Sequence, residues 1–211
     1  MRTDDFIRTL AADSQPRWRF GRVLRAATVA GVLTAAALFF AAIGFRPDIA
    51  EALESVRFLF KFAVTITLAV IATVAMGALG RPGTPVAARL LPLALVVALL
   101  AGGVGLELIA LPQTQWMADM IGHNARFCLT LIPLLAIGPL ACFMAALRRG
   151  APSNPGLAGA LAGLAASAIA ASFYAANCDD DSPLFVMLWY SIAIAMVTTA
   201  GYLLGRRLLR W

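Results

Sequence analysis

Three cysteines and one histidine are the residues of this chain with the most distinctive chemistry. Cys178 stands in the stretch NCDDDSP, so three aspartates follow it directly. Cys128 lies five residues after His123, and Cys142 lies 14 residues further along the chain. Thiolate, imidazole and carboxylate groups together favour soft or borderline metal ions, and thiols alone support redox chemistry. Which of these groups can meet depends on the segments that carry them.

The composition predicts that most of the chain lies in lipid. Of its 211 residues, 61% are apolar and only 13% are charged, and the mean hydropathy is +0.84. A chain this short cannot bury such an excess in one core. Apolar runs of about 20 residues, the length that spans a bilayer, lie at 23–45, 58–79, 90–111, 127–147, 157–177 and 184–205. We expect an all-α polytopic membrane protein with a six-helix domain over 23–205.

The charged residues predict the orientation of these helices. Arg25 and the segments 1–22, 80–89, 148–155 and 206–211 hold 13 of the 17 basic residues, whereas eight of the 11 acidic residues lie on the other side. Basic residues concentrate in cytoplasmic loops. The sequence therefore predicts a cytoplasmic N-terminal segment (1–22), a cytoplasmic basic tail (206–211) and, in a bacterium, location in the inner membrane. This concentration of basic residues on one side explains the net charge of +6, so the charge gives no reason to expect nucleic-acid binding.

This orientation places Cys128 and Cys178 at the outer rim of the bundle, where thiols meet an oxidising environment. Cys142 lies about 21 Å deeper along its helix, at about 1.5 Å per residue, and is expected to be a packing residue. The three aspartates after Cys178 are interpreted as a solvated hairpin that keeps this thiol exposed. Packing and sensing roles stay open for Cys128 and Cys178 on these grounds alone.

Other ionisable groups on the outer side form a candidate metal site or a structural charge pair. No ligand spacing matches a defined zinc motif, so a metal site depends on how the helices pack. Charged groups in membrane segments are usually paired or functional, and Glu107 is predicted to pair with Lys61 or Arg126. The candidate metal ligands besides the two thiols are His123, Asp179, Asp180 and Glu107.

The N-terminal stretch TDDFIRTLAADSQP predicts a short amphipathic helix with one apolar face. A lone helix of this length is marginal in water, so we expect it to order against the membrane surface or in a groove of a soluble partner. Its acids favour the protein partner over anionic lipid. The candidate docking residues are Asp4, Asp5, Phe6, Ile7, Leu10 and Asp13.

Small residues recur every four positions in the last two predicted helices. Gly159 and Gly163 form such a stripe in the fifth helix, and Gly201 and Gly205 repeat the spacing in the sixth. Stripes of this kind let two helices pack closely in lipid, so we expect these glycines to be packing positions.

Several motifs together resemble one known family: VRFLFKFAVT, RPG, RFC, APSNPGLAGALAG and NCDDDSPLF, followed by WY and GRRLLRW. The chain resembles the integral-membrane anti-sigma factors called negative regulator of sigma F, over essentially its whole length. The resemblance implies an inner-membrane protein that holds an extracytoplasmic-function sigma factor inactive and releases it under stress, including heavy-metal exposure. It also implies that Cys128 and Cys178 are the sensing thiols, with no required cofactor beyond a transient heavy-metal ion.

The resemblance leaves the chemistry of the thiols open. Many members carry His before the second cysteine, whereas this chain carries Asn177, which favours thiol chemistry over a His–Cys metal pair. Metal binding or a disulfide is expected to pull the outer ends of the fourth and fifth helices together. The alternatives to a non-enzymatic regulator are a membrane thiol-disulfide oxidoreductase, which needs a second relay pair of cysteines, and a small transporter, which needs midplane charges.

Overall fold

The computed structural model describes residues 5, 7–8, 20–79, 88 and 90–209. Short helices at Ile49–Ala52 and Gln113–Ile121 lie in two of the connections, and no strand occurs among the described residues. The six long helices are α1 (Phe20–Ala42), α2 (Val56–Leu79), α3 (Leu93–Ala110), α4 (Ala125–Leu147), α5 (Pro155–Ala175) and α6 (Pro183–Leu208).

All six long helices have the length and apolar composition needed to cross a membrane, so the predicted all-α class and the number of such helices are confirmed. Their ends differ from the predicted runs by a few residues. α1 ends at Ala42 rather than at residue 45, and Gly44 beyond it adopts a φ of 75° that a helix cannot contain. α5 begins at Pro155 because the Asn154 side chain accepts a hydrogen bond from the Leu157 amide at 3.0 Å, which caps the helix.

α5 is the central helix of the bundle. Fifteen of its 21 residues are buried, and it packs against α6, α2, α4 and α1. Its sequence consists mainly of Gly, Ala and Ser, and such small side chains let several helices approach one axis. α3 lies at the edge, against α2 and the first turn of α6, and buries only Val96, Val104 and Glu107.

The glycines of α5 and α6 bring the two backbones into direct contact. A Cβ atom added to Gly159 would lie 2.3 Å from the Gly201 carbonyl oxygen, and one added to Gly201 would lie 2.4 Å from the Gly159 oxygen. Gly163 meets the Val197 oxygen, and Gly205 meets the Pro155 oxygen, in the same way. The stripe seen in the sequence therefore corresponds to a contact that no larger residue fits.

The end of the bundle where α5 ends and α6 begins is here called the thiol end, because Cys178 lies in that connection. The α1–α2 connection reaches the same end: the Asn177 amide donates to the Gly44 oxygen at 3.1 Å, and the Arg46 amide donates to the Ala176 oxygen at 3.2 Å. α6 starts with the Ser182 hydroxyl accepting from the Leu184 amide, and its second segment, Val186–Tyr190, is a π-turn. π-turns often accompany functional sites.

Replacement of Gly159 by Ala tests the contact between α5 and α6. The added methyl group would meet backbone rather than a movable side chain, so we expect a loss of about 2–3 kcal/mol in the free energy of unfolding, the upper range for overpacking. Thermal unfolding of the full-length protein in detergent measures it.

The matched control is Gly105→Ala in α3, where no heavy atom lies within 4 Å of the added carbon. This change is expected to leave stability unchanged or to raise it by up to about 1 kcal/mol through helix propensity. Equal stabilities for the two variants would contradict the packing of α5 against α6.

Candidate sensory site

Cys128 and Cys178 lie side by side at the thiol end. Cys128 is in the first turn of α4, where its amide donates to the Asn124 oxygen at 2.9 Å, and the Cys178 amide donates to the Tyr174 oxygen at 3.0 Å. The two thiols interact directly through their sulfur atoms. Both residues are buried, with 0% and 1% of their surface exposed, so the prediction of an exposed Cys178 is wrong. Cys142 lies deeper in α4 and is half-buried.

Two tyrosines complete the surroundings of the thiol pair, and neither is among the site residues predicted from the sequence. Tyr174 is in the last turn of α5 and Tyr190 is in the π-turn of α6, with ring centroids 5.9 Å apart. Both are at most 1% exposed, and each interacts electrostatically with both thiols. The spacing of Tyr174, four residues before Cys178, is a signal for this contact, because a turn of helix separates them.

The aspartates after Cys178 are bound to other parts of the chain, and of the three only Asp179 is exposed. Asp181 forms ion pairs with Lys61 of α2 at 2.5 Å and with Arg46 at 3.0 Å. The Lys61 ammonium group is completely buried, and it also donates to the Cys178 carbonyl oxygen at 2.8 Å. A buried ammonium group needs such a full set of partners. The interpretation of the three acids as a solvated hairpin is therefore wrong for Asp180 and Asp181, whose side chains are 13% and 20% exposed.

Asp180 and Asp179 bind the beginning of α4. One oxygen of Asp180 accepts from the backbone amides of His123 at 2.9 Å and Asn124 at 2.7 Å, and Asp179 accepts from the Asn124 side chain. Unpaired amides and a positive dipole end make a helix N-terminus a favourable place for a carboxylate. These contacts hold the start of α4, and with it Cys128, against the loop that carries Cys178.

Glu107 of α3 is paired differently from the prediction. Its carboxylate accepts from Arg57 of α2 at 3.1 Å and from the Ser182 hydroxyl at 3.0 Å, so the predicted pairing with Lys61 or Arg126 is wrong. Arg57 and Lys61 are one turn apart on α2 but bind different acids: the buried Lys61 binds Asp181, and the 45% exposed Arg57 binds Glu107. The Arg126 side chain is exposed.

The candidate metal ligands do not converge in the structure. The His123 side chain is 95% exposed, and its Nδ1 atom is 3.7 Å from Asp180, while Glu107 binds Arg57 and Ser182. Within the described ranges, no group of three or more His, Cys, Asp or Glu side chains could hold a metal ion. The two thiols are thus the pair that the fold brings together.

The surroundings of the loop shift the pKa of the Cys178 thiol downward. A hydrogen bond from the Cys128 thiol, and the positive charge of Lys61, lower the pKa of Cys178 against the opposing effect of burial. In the neighbouring connection, hydrogen bonds to Asp48 and Asp181 raise the pKa of Arg46, and the Arg46 guanidinium lowers the pKa of Asp48. Within the pair, the Cys128 thiol thus acts as the hydrogen-bond donor and Cys178 as the acceptor.

Of the predicted docking residues, Asp4, Phe6, Leu10 and Asp13 lie outside the part of the chain that the structure describes. Asp5 and Ile7 are helical and exposed, and 57% of the Ile7 surface is accessible.

Comparison with known proteins identifies the family. The family model for the negative regulator of sigma F matches residues 10–211. The chain belongs to this family. The anti-sigma-F factor NrsF of Caulobacter vibrioides is 34% identical, and the probable anti-sigma-F factor NrsF of Azospira oryzae is 30% identical, each over the full length of both chains. No solved structure matches. The family suggests a regulatory rather than an enzymatic role.

Replacement of Asp181 by Asn tests the importance of the buried ion pair. Lys61 would keep its charge without a matching carboxylate at 2.5 Å, so we expect a loss of about 3 kcal/mol in the free energy of unfolding. Thermal or denaturant unfolding in detergent measures the change. Asp48→Asn is the control, because Asp48 also binds Arg46 but is 48% exposed, and exposed pairs contribute at most about 1 kcal/mol.

A second change separates the charge effect from general damage to the loop. Lys61→Met in the Asp181→Asn background removes the uncompensated cation, and we expect most of the lost stability to return. A double variant as unstable as Asp181→Asn alone would contradict the role assigned to the pair.

Proposed function

We propose that this chain is a multi-pass anti-sigma factor of the bacterial inner membrane that sequesters an extracytoplasmic-function sigma factor. Both termini would face the cytoplasm, as the concentration of basic residues in 1–22, 80–89, 148–155 and 206–211 indicates. The sigma factor would be held there, chiefly by residues 3–15, with no direct contact to nucleic acid. Family membership supports the sigma factor as partner.

The signal in this proposal is heavy-metal or oxidative stress, received by Cys128 and Cys178. The observation that carries it is that two thiols 50 residues apart in sequence are adjacent and buried, in a loop bound to four other parts of the bundle. Packing alone does not need two thiols in contact. A soft ion bridging both sulfurs, or a disulfide, would change the spacing of these sulfurs.

A hydroperoxide would oxidise this thiol pair to a disulfide, and no further reactant is needed. The two thiols lose two electrons and two protons, one S–S bond forms, and the peroxide O–O bond breaks to give water and an alcohol or a second water. In this proposal either reaction draws the ends of α4 and α5 together, and because the thiols are already neighbours, the movement is short. It would also change the contacts that the loop makes with α2, α3 and the connection after α1.

Removal of residues 1–22 tests the docking segment. We expect the full-length protein to co-purify with its sigma factor from membranes, and the truncated protein to lose at least about tenfold in affinity, since about 1.4 kcal/mol of lost contact energy suffices for that change. A truncated chain that keeps the sigma factor would remove this segment from the mechanism. Expression and helix content of both forms are compared as controls.

Replacement of the thiols tests the signal. Cys128→Ser and Cys178→Ser, singly and together, are expected to keep the sigma factor bound when cells are exposed to a thiol-binding metal or a peroxide, whereas the wild type releases it. Cys142→Ser is the matched control, because it removes a thiol of α4 outside the pair, and it should respond like the wild type. Release from the double variant would exclude the thiols as receptor.

A further inference from the structure

Tyr174 and Tyr190 carry hydroxyl groups that are buried without a hydrogen-bond partner. Most buried polar groups in proteins are hydrogen-bonded, and an unpaired one destabilises the fold by about 1–3 kcal/mol. Phenylalanine at either position would keep the ring contacts of this cluster, in which the two rings are 5.9 Å apart and the Phe185 ring lies 6.4 Å from Tyr190. The hydroxyls therefore serve something other than the packing of this state.

Both hydroxyls lie beside the thiol pair. Each tyrosine lies close enough to interact with Cys128 and with Cys178, yet neither hydroxyl makes a well-formed hydrogen bond to another described residue. A neutral thiol is a weak acceptor. A sulfur that carries negative charge is a much better acceptor, and hydrogen bonds to charged groups are roughly twice as strong as neutral ones.

We propose that Tyr174 and Tyr190 are positioning residues for a metal-bound form of the thiol pair, in which their hydroxyls donate hydrogen bonds to the two sulfurs. The proposal rests on the proposed sensing function and specifies its signal. When a soft divalent ion binds, each thiol releases a proton to solvent and two sulfur–metal bonds form. The sulfurs of a disulfide are neutral, so they give the hydroxyls no comparable acceptor.

The geometry also indicates the class of ion. Two thiols form the site, and the described residues contain no group of three His, Cys, Asp or Glu side chains that could complete a tetrahedral shell. Zinc prefers four such ligands, whereas an ion that accepts two thiolates in a line, such as Hg²⁺, needs no third. The nearby cation, Lys61, binds Asp181 and the Cys178 carbonyl oxygen, so its charge is compensated.

Binding of Hg²⁺ by the full-length protein in detergent tests the proposal. The wild type is titrated with Hg²⁺ alone, in competition with a small dithiol, and the sulfur-to-metal charge-transfer band is recorded in the ultraviolet. We expect Tyr174→Phe and Tyr190→Phe each to weaken binding by about tenfold, and the double variant by about 100-fold, as expected for hydrogen bonds to charged groups. In these variants the sulfur-to-metal charge-transfer band should move to longer wavelength. Without hydrogen bonds from the tyrosines, the thiolate sulfurs transfer electron density to the metal more easily.

Two controls separate positioning from folding. Tyr202→Phe removes the hydroxyl of a tyrosine 41% exposed near the other end of α6, and it should bind Hg²⁺ like the wild type. In the metal-free protein, Tyr174→Phe and Tyr190→Phe should be as stable as the wild type or more stable, because an unpaired buried hydroxyl has been removed. Lower metal affinity with undiminished stability is the expected signature.

Unchanged affinity and an unchanged band in both tyrosine variants would overturn the proposal while leaving metal sensing by the thiols intact. A wild type that shows no thiolate band with Hg²⁺ would overturn it together with the metal-binding part of the proposed function. In that case, release of the sigma factor by peroxide would still test the oxidative part.

Discussion

The ion pair between Lys61 and Asp181 is the contact on which the thiol end of this protein depends. An ammonium group with no exposed surface is stable in an apolar bundle only with its full set of partners, and here the α5–α6 loop supplies two of them, the Asp181 carboxylate and the Cys178 carbonyl oxygen. The loop is therefore drawn inward onto α2. Burial of Cys178 follows from this inward position, as does its contact with Cys128.

Other polar residues of the loop also bind neighbouring helices and hold the loop in place. Asp180 binds the amides at the start of α4, and Ser182 binds Glu107, which in turn binds Arg57. One short stretch thus connects the thiol pair to α2, α3 and α4, and Arg46 adds the connection between α1 and α2. The surroundings of the two sulfurs are in this way bound to four separate parts of the bundle.

The sequence predicts the helices well because runs of about 20 apolar residues have few other solutions in lipid. It also places Cys128 and Cys178 at one end, since alternating helices return the chain to the same side. The sequence does not predict that the thiols are buried, because their burial depends on the ion pair between Asp181 and Lys61, which lie 120 residues apart in the chain. Nor does it assign Glu107 to Arg57 rather than Lys61, since both basic residues share one face of α2 and only the packing of α3 separates them. The four-residue spacing of Tyr174 from Cys178 is visible in the sequence, whereas the position of Tyr190 beside the thiols depends on the π-turn of α6, which no sequence pattern indicates.

The touching backbones of α5 and α6 have a mechanical consequence. In α5 and α6 carbonyl oxygens lie directly against glycines of the partner helix. Because this contact leaves little space between the two backbones, we expect the helices to move together as one rigid rod. α5 has 21 residues, which gives the rod a length of about 32 Å at about 1.5 Å per residue. By simple lever geometry, a tilt of about 5° at the thiol end displaces the far end by about 3 Å. A small tilt at the sulfurs would therefore become a larger displacement at the opposite end of these two helices.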